Sequence, residues 1–150
     1  MGNDSLSEAE IGALREIAGT MVPADAGLDV PGADDPAILA DIAKSVGRDL
    51  PLVRKAIAEI TAKSFASLDR DRREALINDM YASRAAPIVA LGRLILGAYY
   101  RDDRVLVALR QEARAPFPQG YTLEQGEWSL LDAVRHRPPL WRDDRKEPVK

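Results

Sequence analysis

The chain contains no cysteine. That absence removes disulfides, iron–sulfur clusters, covalently attached c-type haem and thiolate zinc sites together. It leaves the compartment open, because a chain without thiols tolerates any redox poise. Aromatic residues make up only 5% of the 150 residues, so a core of the size this length allows must be mostly aliphatic. The single histidine, His136, stands among Arg135, Arg137 and two prolines. Neighbouring cations depress an imidazole's basicity, and a lone one has no partner for metal or acid–base work. His136 therefore reads as a solvated side chain.

There is no excess of positive charge either. Lysine and arginine number 21 against 24 aspartates and glutamates, a net charge of −3. A phosphate-backbone binder needs a basic footprint, so broad nucleic-acid binding is not expected. No apolar run reaches the length of a membrane span. The opening residues, Met1 to Leu6, have neither a basic n-region nor an apolar h-region, so no secretory signal is expected. Leu6 also stands where a myristoylation pattern requires serine or threonine.

Catalytic constellations are equally scarce. Asp34-Asp35, Asp102-Asp103 and Asp143-Asp144 are adjacent pairs, and neighbours on a helix point to different faces. Asp35 and Asp103 read better as helix caps. No Glu-x-x-His di-iron pattern, phosphate-binding loop or dinucleotide fingerprint occurs. Asp25-Ala26-Gly27 does not extend into a calcium loop. The residues thus predict no catalytic, cofactor-binding or metal-binding set in this chain.

What is present is helical periodicity. Ser7-Glu8-Ala9-Glu10 spells a capping box, followed by Ile11, Leu14, Ala18 and Met21 at helical spacing. Pro23 ends that helix. A loop of roughly a dozen residues follows, long for a helix connection and suggestive of a role. Asp35-Pro36 starts a second helix, with Ile38, Leu39, Ile42 and Val46 inward and Gly47 as its stop. Asp49-Leu50-Pro51 restarts the chain, and Val53, Ile57, Ile60 and Ser64 extend a third stripe. Leu68-Asp69 breaks and recaps before a fourth helix carrying Ala75, Leu76 and Met80, with Arg72, Arg73, Glu74 and Asp79 on its charged face.

The stretch from Pro87 to Tyr100 holds one charge, Arg93. A helix apolar nearly all round is either central or meets a partner. Gly92 and Gly97 each weaken it by roughly 1 kcal/mol relative to alanine, which close approach of another helix would offset. A short helix follows from Val105 to Arg110. Pro116-Phe117-Pro118 must be irregular. The tail carries Trp128, Leu130, Leu131, Val134 and Trp141 and ends in charge. Trp141 among Arg135, Arg137, Arg142 and Arg145 suits packing on a protein partner. No period-two pattern is sustained. The fold class is therefore all-α: a compact domain of five to six helices over residues 7–127, with residues 1–6 flexible and 128–150 a C-terminal arm.

Five segments, in this order, carry a likeness to a known family. They are Leu6-Ser7-Glu8-Ala9-Glu10 with Leu14 and Ile17; Met21-Val22-Pro23-Ala24-Asp25; and Pro31-Gly32-Ala33. Then come Phe65-Ala66-Ser67-Leu68-Asp69 with Arg73-Glu74-Ala75-Leu76, and Leu96-Gly97-Ala98-Tyr99-Tyr100-Arg101-Asp102 followed by Pro116 to Tyr121. From Leu6 to about Tyr121 the chain resembles the gluconate 2-dehydrogenase subunit 3 family, the small subunits of flavin-dependent sugar and alcohol dehydrogenases.

The resemblance implies a non-catalytic, chaperone-like subunit. Its large partner would be a glucose–methanol–choline type flavoprotein that holds FAD and the catalytic groups. Many members carry a twin-arginine export signal; this sequence shows none, so a cytoplasmic hetero-oligomer is expected. It would be periplasmic if a signal was trimmed or if the partner carries one, with a cytochrome c third subunit only in that exported case. Arg101-Asp102-Asp103 departs from the family's commoner Ser-Asp-Pro. The expected partner interface comprises Pro23, Asp25, Leu96, Tyr99, Tyr100, Phe117, Tyr121 and Trp141. The alternative is a free-standing helical binding protein for a small apolar ligand held between helices.

Overall fold

The computed structural model describes residues 5–114, 117, 120 and 126–138. These are all-α, with one isolated antiparallel bridge between Asp25 and Val30 and no strand among them. The chain divides into two units, Met1–Ala115 and Pro116–Lys150, ahead of the boundary at residue 127 that the sequence suggests.

The first unit holds α1 (Glu8–Met21), α2 (Pro36–Ser45), α3 (Leu50–Thr61), α4 (Arg70–Ala82), α5 (Ala86–Tyr99) and α6 (Asp103–Ala108). Tight 3₁₀ turns at Gly47–Asp49 and Phe65–Ser67 lead into α3 and towards α4. In the second unit a 3₁₀ turn, Trp128–Leu131, runs into the single-turn α7 (Asp132–Arg135).

Helix starts follow local chemistry. The Ser7 hydroxyl accepts from the Glu10 N–H at 3.3 Å, and the Glu10 carboxylate accepts from the Ser7 N–H at 2.7 Å. Two orphan donors are satisfied by this reciprocal pair. Leu6, which the sequence places in a flexible terminus, is buried; it occupies the position where an apolar residue staples a helix entry to its first turn. Asp35 caps α2, accepting from the N–H groups of Ala37 and Ile38, with Pro36 at the first helical position. Asp69 caps α4 by accepting from Arg72.

Two local expectations change. The cap of α6 is Asp102, not Asp103: Asp102 has the extended backbone and accepts from the Arg104 N–H at 2.9 Å. Asp103 sits in the first turn, where negative charge meets the helix dipole favourably. The third stripe stops at Thr61 rather than reaching Ser64, which turns left-handed at φ 57°. That turn delivers Phe65 into the core, where the Arg73 guanidinium lies 5.1 Å from its ring centroid. Arg73 also donates to the carbonyls of Leu68 and Ala66, holding the corner closed.

α5 is the central helix. It packs on α3 and α2 and touches α4, while α1 lies across α3 and α4. Ile88, Leu91, Ile95 and Ala98 of α5 are buried together with Val53, Ile57 and Ile60 of α3 and Ile38, Leu39 and Ile42 of α2. Leu14, Ile17 and Ala18 bring α1 into the same cluster. The core is mostly aliphatic, with Phe65 and Tyr99 as its aromatic members, and no polar or charged side chain is counted as buried among the described residues. In α4 the inward residue is Ile77, with Leu76 and Met80 half-buried; Ala75, expected inward, is exposed. No helix among the described residues is long and apolar enough to cross a membrane.

The two α5 glycines part company. A Cβ on Gly92 would meet the Tyr81 hydroxyl of α4 at 1.0 Å, so a close approach does compensate there. A Cβ on Gly97 would meet nothing within 4 Å.

Candidate functional site

Between Met21 and Asp35 the chain builds a rigid loop from its own polar groups. Asp25 and Val30 exchange main-chain hydrogen bonds, both 3.1 Å. Inside that bridge the Asp25 carboxylate accepts from the N–H groups of Gly27 and Leu28 at 2.7 and 3.1 Å. An aspartate at the head of a turn commonly organises the backbone this way. Leu28 is left at the tip, 59% exposed. The loop's base is tied to α1 and α2: Ala33 donates to the Val22 carbonyl at 2.8 Å, and Ala33 is buried.

Arg104 joins this region to α6. Its guanidinium donates to both carboxylate oxygens of Asp35, at 2.8 and 3.1 Å, and to both of Asp102, at 2.8 and 3.0 Å. Forked pairing of this kind is geometrically specific. It joins the cap of α2 to the cap of α6, Arg104 and Asp35 lying 69 residues apart in the chain. The guanidinium beside them holds the Asp35 and Asp102 carboxyls below the usual aspartate range, against the opposing pull of burial.

The loop and α6 enclose an open groove of about 640 Å³. Ala24, Ala26, Leu28, Pro31, Val107 and Ala108 give it apolar walls, and Asp25, Asp29 and Arg104 its charged rim. Val107 is 62% exposed. A second exposed apolar strip runs along the outer side of α5 through Val89, Leu96 and Tyr100. Arg93 on that side pairs with Asp49 at 2.6 Å.

The predicted interface residues fall in four places. Pro23 and Asp25 are exposed on the loop. Leu96 is exposed on α5, and Tyr100 is exposed at its C-terminal cap. Tyr99, in contrast, is 5% exposed and belongs to the core. Burial first, then the neighbouring Tyr100 and the charges of Asp102 and Asp25, push its phenol above the ordinary range. Its ring meets that of Tyr100 edge-on at 5.3 Å. Phe117, in the second unit, is 87% exposed. Tyr121 and Trp141 lie outside the described residues.

Sequence reasoning expected the Val22-to-Gly32 loop at the interface but did not single out Leu28, and it missed Val107 and the Arg104 clamp. Leu28 had a legible signal, as the one bulky residue in a run of alanine, aspartate and glycine. Arg104 had none, because its partner Asp35 is remote in the chain. His136 is exposed, its ring nitrogen 2.7 Å from the Asp132 carbonyl. Among the described residues no group of three or more histidine, aspartate or glutamate side chains could hold a metal. No family model, curated protein or solved structure matches the chain.

Proposed function

We propose that this chain is a non-catalytic small subunit that binds a flavin-dependent sugar or alcohol dehydrogenase of the glucose–methanol–choline type and supports its folding, stability or activity. FAD and the reacting groups belong to the large chain. The likeness to the gluconate 2-dehydrogenase subunit 3 family motivates the reading. The observation that supports it best is a helical domain with several large apolar side chains left outward, two groups of which stand out. These are Leu28 and Val107 at the groove, and Val89, Leu96 and Tyr100 on α5. Scattered exposed apolar residues are ordinary, but grouped ones rimmed by charge suit a protein interface. A permanent partner of this kind would bury more than roughly 2,000 Å².

Co-expression with the large flavoprotein chain tests it. The pair should co-elute, the flavin absorbance should follow the large chain, and solubility or activity should fall when the small chain is omitted. A small chain that elutes alone and leaves the flavoprotein unchanged would defeat the reading.

A further inference from the structure

The groove between the Ala24–Pro31 loop and α6 has an imbalance of charge. Among the described residues its one lining cation, Arg104, is already held by two carboxylates. Asp25 and Asp29, on the same rim, form no ion pair among the described residues. Asp25 spends one carboxylate oxygen on the Gly27 and Leu28 amides. The rim is therefore net negative around an apolar floor that presents Leu28 and Val107. The Asp25–Val30 bridge ties the loop's backbone together, which lowers the part of the binding cost that comes from ordering the loop.

From this we infer that the groove docks a basic segment of a protein partner. The segment sets a bulky apolar side chain against Leu28 and Val107 and lysine or arginine against Asp25 and Asp29. Charge complementarity selects this occupant: like charges across an interface repel, whereas opposite ones steer association. Anionic lipid headgroups and nucleic-acid phosphates would meet the acidic rim with repulsion. A second copy brings the same acidic rim and an acidic chain. The inference rests on the small-subunit reading only for the partner's identity; the chemistry of the groove stands by itself.

The test uses the full chain, isotope-labelled for NMR, and two synthetic peptides, one repeating Lys-Leu-Leu-Arg and one repeating Glu-Leu-Leu-Glu. The basic peptide should shift the amides of residues 24–30 and 104–108, and added salt should weaken it. Paired Asp25→Asn and Asp29→Asn should raise Kd about tenfold, as should paired Leu28→Ser and Val107→Ser. All four side chains are exposed, so circular dichroism should be unchanged. Shifts elsewhere, equal binding of the acidic peptide, or a Kd unmoved by both pairs would overturn the proposal. The same variants co-expressed with the flavoprotein separate the two readings. Lost co-elution places the flavoprotein in the groove. Retained co-elution with peptide binding lost assigns the groove to another basic partner. A wild-type chain that maps the peptide to the groove but never holds the flavoprotein defeats the small-subunit reading alone.

Discussion

The Tyr81 hydroxyl of α4 occupies the space that a side chain at Gly92 of α5 would fill. A Cβ built on Gly92 lies 1.0 Å from the hydroxyl oxygen and 2.4 Å from the ring carbon that bears it. Burial pushes that phenol above its ordinary pKa range. The glycine thus lets a ring lie flush against the central helix, and the pair sets how closely α4 approaches α5.

Gly92→Ala should destabilise the chain by about 1–3 kcal/mol, because the ring must leave its seat. Gly97→Ala should stabilise it by about 0.5–1 kcal/mol, since the site is open and alanine is the better helix former. Urea denaturation of both variants checks the opposition in sign. If Gly92→Ala proves the more stable, the Tyr81 contact does not constrain the helix.

The Arg104 clamp predicts acid sensitivity with a definite sign. Asp35 and Asp102 are both lowered from the ordinary 3.8 in the folded chain. Their contribution is fully present above that value and is lost as pH falls through the lower folded ones. Stability should therefore decline below about pH 4, and Arg104→Met should flatten that decline. Thermal unfolding between pH 7 and pH 2 measures both profiles; identical slopes would show that other carboxylates set the acid limit.

Adjacent tyrosines should separate fold from docking. Tyr99→Ala removes a buried ring and should cost about 3 kcal/mol or more. Tyr100→Ala, on an exposed ring, should leave the melting temperature within a few degrees yet weaken co-elution with the flavoprotein. Replacement of Phe117 should resemble Tyr100→Ala. If neither exposed-ring variant alters co-purification, the interface lies elsewhere.

The first cap offers a smaller effect. Ser7→Ala should cost about 1 kcal/mol through loss of the capping box, and Glu10 should lose part of its lowered pKa, since the Ser7 backbone hydrogen bond, which survives, is only its largest cause. Carboxylate titration by NMR, read alongside denaturation, checks both. An unchanged Glu10 titration would mean that the Ser7 N–H and Arg54, whose guanidinium pairs with Glu10 at 3.1 Å, suffice to hold it.

Much of the architecture was legible in order. Ser7, Asp35 and Asp69 announced their helices because capping is a contact between near neighbours, and it survives in any tertiary setting. The apolar face of α2 was equally plain, since Ile38, Leu39 and Ile42 recur at the helical period. The candidate site was less legible. The loop's length drew attention to the loop, and the family resemblance to Pro23 and Asp25 within it, but neither singled out Leu28 or pointed to α6 across the groove.

Local chemistry alone therefore determined the all-α class, most helix starts and the aliphatic character of the core, because caps, period and composition act over a few residues. Only the tertiary structure decided which apolar residues stay outside. Tyr99 and Tyr100 are the same residue side by side, yet one is buried and one exposed. Asp35 and Arg104 meet only because α2 and α6 are brought together, and Gly92 differs from Gly97 only because Tyr81 arrives at one of them. Those outcomes depend on what another helix places opposite, which a stretch of sequence read by itself does not contain.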